Sequence, residues 1–181
     1  MDTVGFLEVT SIAAGVEMTD AMLKASNVKL IFSRASCPGK FYILITGDVS
    51  GVETSVKQGI SHGKGCVVKS TVIPKVHKQV IQNINVGAVP TNAAAVGVIE
   101  YYCVTSSIVA ADVAVKAANV ELVDIRLGTA IGGKGFIVLT GELSAVKTAV
   151  NAAVSHTKDE GMLVNYTVVS NPKPEVLESL L

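Results

Sequence analysis

Apolar and polar positions along this chain follow two periods, and the whole pattern occurs twice. Residues 3–10 form a β-rich apolar run. Residues 12–26 then carry Ile12, Val16, Met22, Leu23 and Ala25 at roughly helical spacing. Asn27 is a plausible stop for that helix, because asparagine tolerates left-handed backbone. Residues 28–34 and 41–46 read as two short strands around a glycine-containing turn, which is a hairpin signal. Ser50-Gly51-Val52-Glu53 fits a capping box, with Ser50 capping an orphan amide and Glu53 reaching back, so a helix is predicted to about Ser61. Cys66 to Ile73 is a strand, and Pro74 is expected near the first turn of a short helix.

The second half follows the same path. Val4-Gly5-Phe6-Leu7-Glu8 returns as Val96-Gly97-Val98-Ile99-Glu100, and Asp20-Ala21-Met22-Leu23-Lys24-Ala25 returns as Asp112-Val113-Ala114-Val115-Lys116-Ala117, both 92 positions on. Thr46-Gly47-Asp48-Val49-Ser50 returns 94 positions on as Thr140-Gly141-Glu142-Leu143-Ser144. Two residues have therefore been gained between these blocks, and the segment around Cys37 is where they are expected. Ser61-His62 matches Ser155-His156, and Pro74-Lys75 is matched to Pro172-Lys173. The expected domains are 1–88 and 93–181, joined by Gly87–Asn92. Each reads as strand, helix, strand, strand, helix, strand, short helix, with the last helix of copy two after Pro174. The fold class is α/β (α+β): a mixed sheet with helices on one face, twice over.

Composition narrows the function. Apolar residues make up 49% and aromatics 4%, with no Trp, so the core is built from Val, Ile, Ala and Leu. Fifteen basic and 15 acidic residues cancel. A neutral, aromatic-poor chain lacks the electrostatics and stacking of a nucleic-acid binder. Zero net charge and a mean hydropathy of +0.50 favour apolar contacts between copies. No apolar run reaches the roughly 18 residues of a membrane span. Met1-Asp2-Thr3 lacks the basic segment of a signal peptide, so a cytoplasmic protein is expected. Cys37, Cys66 and Cys103 are then free thiols or ligands, not a disulfide framework.

The candidate chemistry sits in one loop, Arg34-Ala35-Ser36-Cys37-Pro38-Gly39-Lys40. Copy two replaces it with Thr129-Ala130-Ile131-Gly132-Gly133-Lys134. Function usually lies on loops held by a rigid frame. Ser36, Pro38 and Gly39 predict an exposed turn around Cys37, and Arg34 and Lys40 could stabilise its thiolate. Taken alone, a single cysteine is more often a small buried hydrophobe than a ligand. Cys66 and Cys103, at the start of a strand and at a strand–helix junction, take the buried reading. His62 and His156 at helix ends suit the helix dipole, and no histidine pair has metal-site spacing. Gly132-Gly133-Lys134 lacks the rest of a phosphate-loop pattern; its glycines suit a tight turn or a close backbone approach. No catalytic constellation can be placed.

The paired blocks resemble bacterial microcompartment shell proteins of the tandem-domain class. The carriers are Gly5-Phe6-Leu7-Glu8, Asp20-Ala21-Met22-Leu23-Lys24-Ala25, Thr46-Gly47-Asp48-Val49 and Ile73-Pro74-Lys75-Val76-His77, each with a counterpart in the second half. Within that class, Cys37-Pro38-Gly39-Lys40 beside Gly132-Gly133-Lys134 resembles shell proteins of propanediol-utilisation compartments. The resemblance implies a non-enzymatic homotrimer that forms a pseudohexameric tile in a two-dimensional layer with other shell proteins, enclosing enzymes in the bacterial cytoplasm. It implies that Cys37 from each of three subunits holds one iron–sulfur cluster, a 4Fe-4S type, at the central axis, for electron transfer across the shell and exchange with encapsulated redox enzymes. Ser36, Pro38, Gly39, Gly132 and Gly133 would line that axis. Lys24, Lys116, Lys75 and Lys173 would make tile-edge contacts, although Lys lacks the donor fork of the Arg that many relatives carry after the late proline. Neither nucleic acid nor membrane is an expected partner. Two other readings stay open: a metabolite-conducting pore in which Cys37 merely lines the channel, and a small-ligand regulatory module.

Overall fold

The computed structural model describes residues 3–63, 65–86 and 93–180. The first repeat comprises β1 (Thr3–Val9), α1 (Ile12–Ala25), β2 (Lys29–Ser36), β3 (Lys40–Gly47), α2 (Val49–His62), β4 (Val67–Ile73) and α3 (Lys78–Gln82). The second comprises β5 (Ala95–Tyr101), α4 (Val104–Ala117), β6 (Glu121–Leu127), β7 (Gly135–Gly141), α5 (Leu143–Thr157), β8 (Leu163–Ser170) and α6 (Pro174–Glu178), with a 3-10 turn at Lys158–Glu160 before β8. This is the order of elements expected from the hydropathy pattern. The expected linker, Gly87–Asn92, lies outside the described residues.

Contacts divide the chain into two compact units. One holds the described residues up to Val76 together with Thr129–Gly133; the other holds His77–Gly128 and the described residues from Lys134 onward.

The first unit is built on a sheet of order β2-β3-β1-β4, antiparallel throughout. Alternation sends successive residues of β1 to opposite faces. Leu7 and Val9 join Ile43 and Ile45 of β3 in a core closed by Met18 and Met22 of α1 and Val52 and Val56 of α2. Phe6 goes the other way and meets the rings of Phe32 and Tyr42. Glycine lets the layers approach closely. A Cβ on Gly15 of α1 would lie 2.3 Å from the Phe41 ring, and one on Gly5 would lie 2.6 Å from Val56.

The second unit repeats this with a sheet of order β6-β7-β5-β8. It also contains the segment that follows β4. There α3 lies on α4 and β6. The Gln79 side chain accepts from Leu122 N–H at 2.7 Å and donates to the Val120 carbonyl at 3.5 Å. Ile125 N–H donates to the Asn83 carbonyl at 2.8 Å, and Asn85 N–H donates back to the Ile125 carbonyl at 2.9 Å. Asn85 Oδ1 accepts from Leu127 N–H at 2.9 Å. The resulting parallel bridge, Ile84 to Ile125, makes this sheet mixed and covers its β6 edge.

Three local expectations are corrected. The cap of α2 is Asp48, whose carboxylate accepts from Gly51 N–H at 2.7 Å; Ser50 lies inside the first turn and donates to Asp48. That hydrogen bond, with a smaller share from Ser50, holds the Asp48 carboxyl below its usual value. A charged acceptor at a helix N-terminus outcompetes a neutral hydroxyl two residues later. Pro74 does not begin α3, because Lys75 is left-handed at φ 51° and the helix starts only after His77. The late alignment of the repeats also changes. Ile73 and Val169 occupy equivalent register positions opposite Val4 and Val96, and Lys75 and Asn171 share the left-handed conformation, an offset of 96. Lys75 therefore corresponds to Asn171, and Lys173 to His77.

Replacing Gly15 with Ala should destabilise the protein by about 1–3 kcal/mol, the usual cost of overpacking, because the nearest atoms belong to a packed ring. Denaturant titration of the variant measures it; an unchanged midpoint would show that Phe41 can yield.

Candidate metal centre

The candidate loop is a tight turn at the end of the first sheet. Ser36 and Lys40 are the last paired residues of β2 and β3, leaving Cys37, Pro38 and Gly39 at the tip. Gly39 N–H donates to the Ser36 carbonyl at 3.0 Å and closes the turn. Gly39 has φ 82°, a conformation that glycine adopts without cost, and the Cys37–Pro38 peptide is cis. Cys37, Pro38 and Gly39 are all exposed. Cys66 is half-buried and Cys103 is buried at the start of α4.

The base of the turn is held electrostatically. Lys40 Nζ lies 2.6 Å from Glu8 Oε1, and the Glu8 side chain is wholly buried. Lys40 is thus engaged beneath the turn, which is a different role from the thiolate support expected of it. Arg34 is also turned elsewhere: its guanidinium lies 4.6 Å from the centre of the Phe32 ring, and its Nε and Nη2 have no hydrogen-bond partner among the described residues.

The second repeat keeps the base and changes the tip. Lys134 Nζ lies 2.9 Å from Glu100 Oε1, and this hydrogen bond raises the Lys134 pKa. Above it, Gly128 N–H donates to the Lys134 carbonyl across a seven-residue connection, two longer than its counterpart between Ala35 and Phe41. Ala130, Gly132 and Gly133 are all left-handed there. Gly133 packs within the first unit: a Cβ on it would lie 2.5 Å from Pro38 Cδ and 2.8 Å from the Cys37 carbonyl oxygen. The two candidate loops are thereby brought together, with Gly133 buried and Gly132 exposed.

The candidate edge lysines lie apart from the turn. Lys24 and Lys116 each reach back one helical turn, to Asp20 and Asp112, at 2.5 Å. Lys75 and Lys173 are exposed. Sequence reasoning missed Glu8 and Glu100 as the anchors of the two loops. Their recurrence 92 positions apart, at the end of equivalent strands, was the available signal.

A cluster needs several thiolates. Among the described residues no group of three or more His, Cys, Asp or Glu is placed to hold a metal ion. Cys37 is an accessible thiol on a fixed turn, so it suits ligation only as one member of a set completed by other copies.

Comparison with known proteins gives a consistent picture. The BMC domain family matches twice, at residues 3–76 and 95–172. The bacterial microcompartment shell protein PduT of Citrobacter freundii is 41% identical over 93% of this chain and 92% of its own length. A microcompartments protein of Desulfitobacterium hafniense DCB, known from a crystal structure, superposes with a TM-score of 0.88 at 42% identity, covering 98% of this chain and 99% of that one. The fused permuted hexameric shell protein MSM0275 superposes with a TM-score of 0.66 at 22% identity over 87% of this chain and 84% of its own, a likeness of fold.

The two loop ion pairs predict different costs. Replacing Lys40 with Met removes the ammonium that lies 2.6 Å from the buried Glu8 carboxylate and should cost about 3 kcal/mol. Replacing Lys134 with Met, where Glu100 keeps access to water, should lower the melting temperature far less, because solvent screens an exposed pair. Equal melting shifts for the two variants would contradict this account of the loop bases.

Proposed function

The chain belongs to the BMC-domain family and is a bacterial microcompartment shell protein, structural in kind, and from that premise we propose that three copies close into a pseudohexameric tile with an iron–sulfur cluster on its axis. In this reading each copy contributes Cys37. The observation that carries it is the contrast between the repeats: the same lysine–glutamate base supports both loops, and only the first presents an exposed thiol.

The geometry supports that division of labour. The hairpin fixes where Cys37 is presented, and the Lys40–Glu8 pair keeps the turn from shifting. Gly133, free of a side chain, lets the second loop lie against the Cys37–Pro38 backbone without covering the sulfur with bulk. A 4Fe-4S cluster, if bound there, supplies one-electron transfer between the two faces of the shell, for encapsulated redox enzymes to use. Three thiolates leave one iron for another ligand. Lys24, Lys116, Lys75 and Lys173 serve contacts with neighbouring tiles; all four are exposed.

Anaerobic reconstitution followed by iron and sulfide analysis tests this. Wild-type protein should take up iron and sulfide in equal amounts and turn brown, and Cys37→Ser should lose both while keeping its melting temperature. Equal metal content in the two proteins would favour the pore reading, in which Cys37 only lines a metabolite channel.

A further inference from the structure

At the end of β7 away from its loop, the second unit carries a cavity of about 460 Å³, a size that suits a small-molecule ligand. Its wall includes Asn119, Glu121 at the start of β6, Thr140 and Gly141 at the end of β7, and Glu142, which precedes α5. The Gln79 side chain, bonded to the backbone on either side of Glu121, closes the β6 edge. Glu121 and Thr140 are register partners, so their side chains are neighbours on one face of the sheet. Glu121 and Glu142 are exposed, and neither makes an ion pair among the described residues. No Lys, Arg or His is among the lining residues.

The first repeat shows what these positions do when they serve only the fold. Thr46, the counterpart of Thr140, donates its hydroxyl to the Thr3 carbonyl at 3.0 Å. Asp48, the counterpart of Glu142, caps α2 through Gly51 N–H. Lys29 stands where the second repeat has Glu121. In the second repeat all three roles are dropped. Thr140 is 4% exposed, yet its hydroxyl has no hydrogen-bond partner among the described residues. Glu142 occupies the N-cap position of α5 without a side-chain bond to an amide. Glu121 puts an acid in place of a base. A buried hydroxyl without a partner costs stability, and two carboxylates on one cavity repel each other. A ligand that brings positive charge and N–H donors relieves both.

We propose that this cavity binds a small organic diammonium compound, with one ammonium on Glu121 and the other on Glu142, and with the Thr140 hydroxyl accepting from the first. The two positive charges match the two carboxylates. A bare divalent cation has the same charge, but it needs about six oxygen ligands drawn in close. Here two carboxylates on separate elements face a cavity of about 460 Å³, and among the described residues no group of three or more His, Cys, Asp or Glu is placed to hold a metal ion. The site uses no residue of the Cys37 turn, so it stands or falls apart from the cluster.

Calorimetric titration of the full chain with putrescine at low salt tests it. Wild type should bind one diamine per chain, and added salt should weaken the binding. Butylamine, with a single charge, should bind about tenfold more weakly, and so should putrescine to Glu121→Gln or Glu142→Gln. Thr140→Val replaces the hydroxyl by a methyl of the same shape; it should weaken binding while its melting temperature stays level or rises, because no hydrogen bond within the protein is lost. Magnesium and calcium chloride at matched ionic strength should not displace the diamine. No saturable binding, an unchanged affinity in Glu121→Gln or Thr140→Val, or displacement by either metal ion overturns the assignment. Cys37→Ser should bind putrescine as wild type does, so loss of the cluster and loss of this site are read separately.

Discussion

Two backbone hydrogen bonds at Ile125, one to Asn83 and one from Asn85, decide how much of this protein a single chain can finish. The edge of a sheet is a row of unpaired donors and acceptors that must be paired, covered or left in water. In the second unit the segment after β4 supplies that cover and buries Val80 and Leu122. The first unit has the same fold and the same kind of edge, with Leu30 exposed on it. A sequence of zero net charge and high mean hydropathy that leaves one edge of a repeated pair apolar is suited to associate with itself.

The chemistry follows from the same economy. Duplication kept the parts that hold a loop and freed the part that forms its tip. Glu8 and Glu100 lie one residue before the ends of equivalent strands, and Lys40 and Lys134 lie where the neighbouring strands begin, so both turns stand on an ion pair. Burial differs, since Glu8 is sealed while Glu100 meets water, and the more firmly founded turn is the one that carries the thiol. Cys37 is exposed among small and rigid neighbours, Pro38 and Gly39, and the lengthened second loop meets it through a glycine. One exposed thiol per chain makes a poor metal site, whereas one from each subunit around an axis makes a set.

Much of this was legible in the residues. The duplicated blocks at offsets of 92 and 94 located the elements through α2 and α5, because strand alternation and helical spacing are local signals; beyond them the offset is 96. The two-residue gain fell in the loop opposite Cys37, as the change of offset required. What failed depended on competition or on distance. Asp48 displaced Ser50 as the cap of α2 because two candidate acceptors stood within reach and the charged one sat at the extended position. Pro74 looked like a helix start, but the left-handed Lys75 postponed the helix to Lys78. Lys40 was read as a neighbour of the thiol along the chain; its partner, Glu8, is 32 residues away and found only through the sheet register. The match of Lys75 with Lys173 rested on a shared proline–lysine pair, and the register showed a closer kinship with Asn171.

The central claim is that the cluster site is made by assembly and not by the chain. Native mass spectrometry of anaerobically reconstituted wild-type protein tests it most directly, since it reads chains and cluster mass in one particle. The account predicts a single cluster for every three chains, carried only by the trimer and absent from any dissociated monomer. A cluster retained on the monomer, or one cluster for each chain, would contradict it.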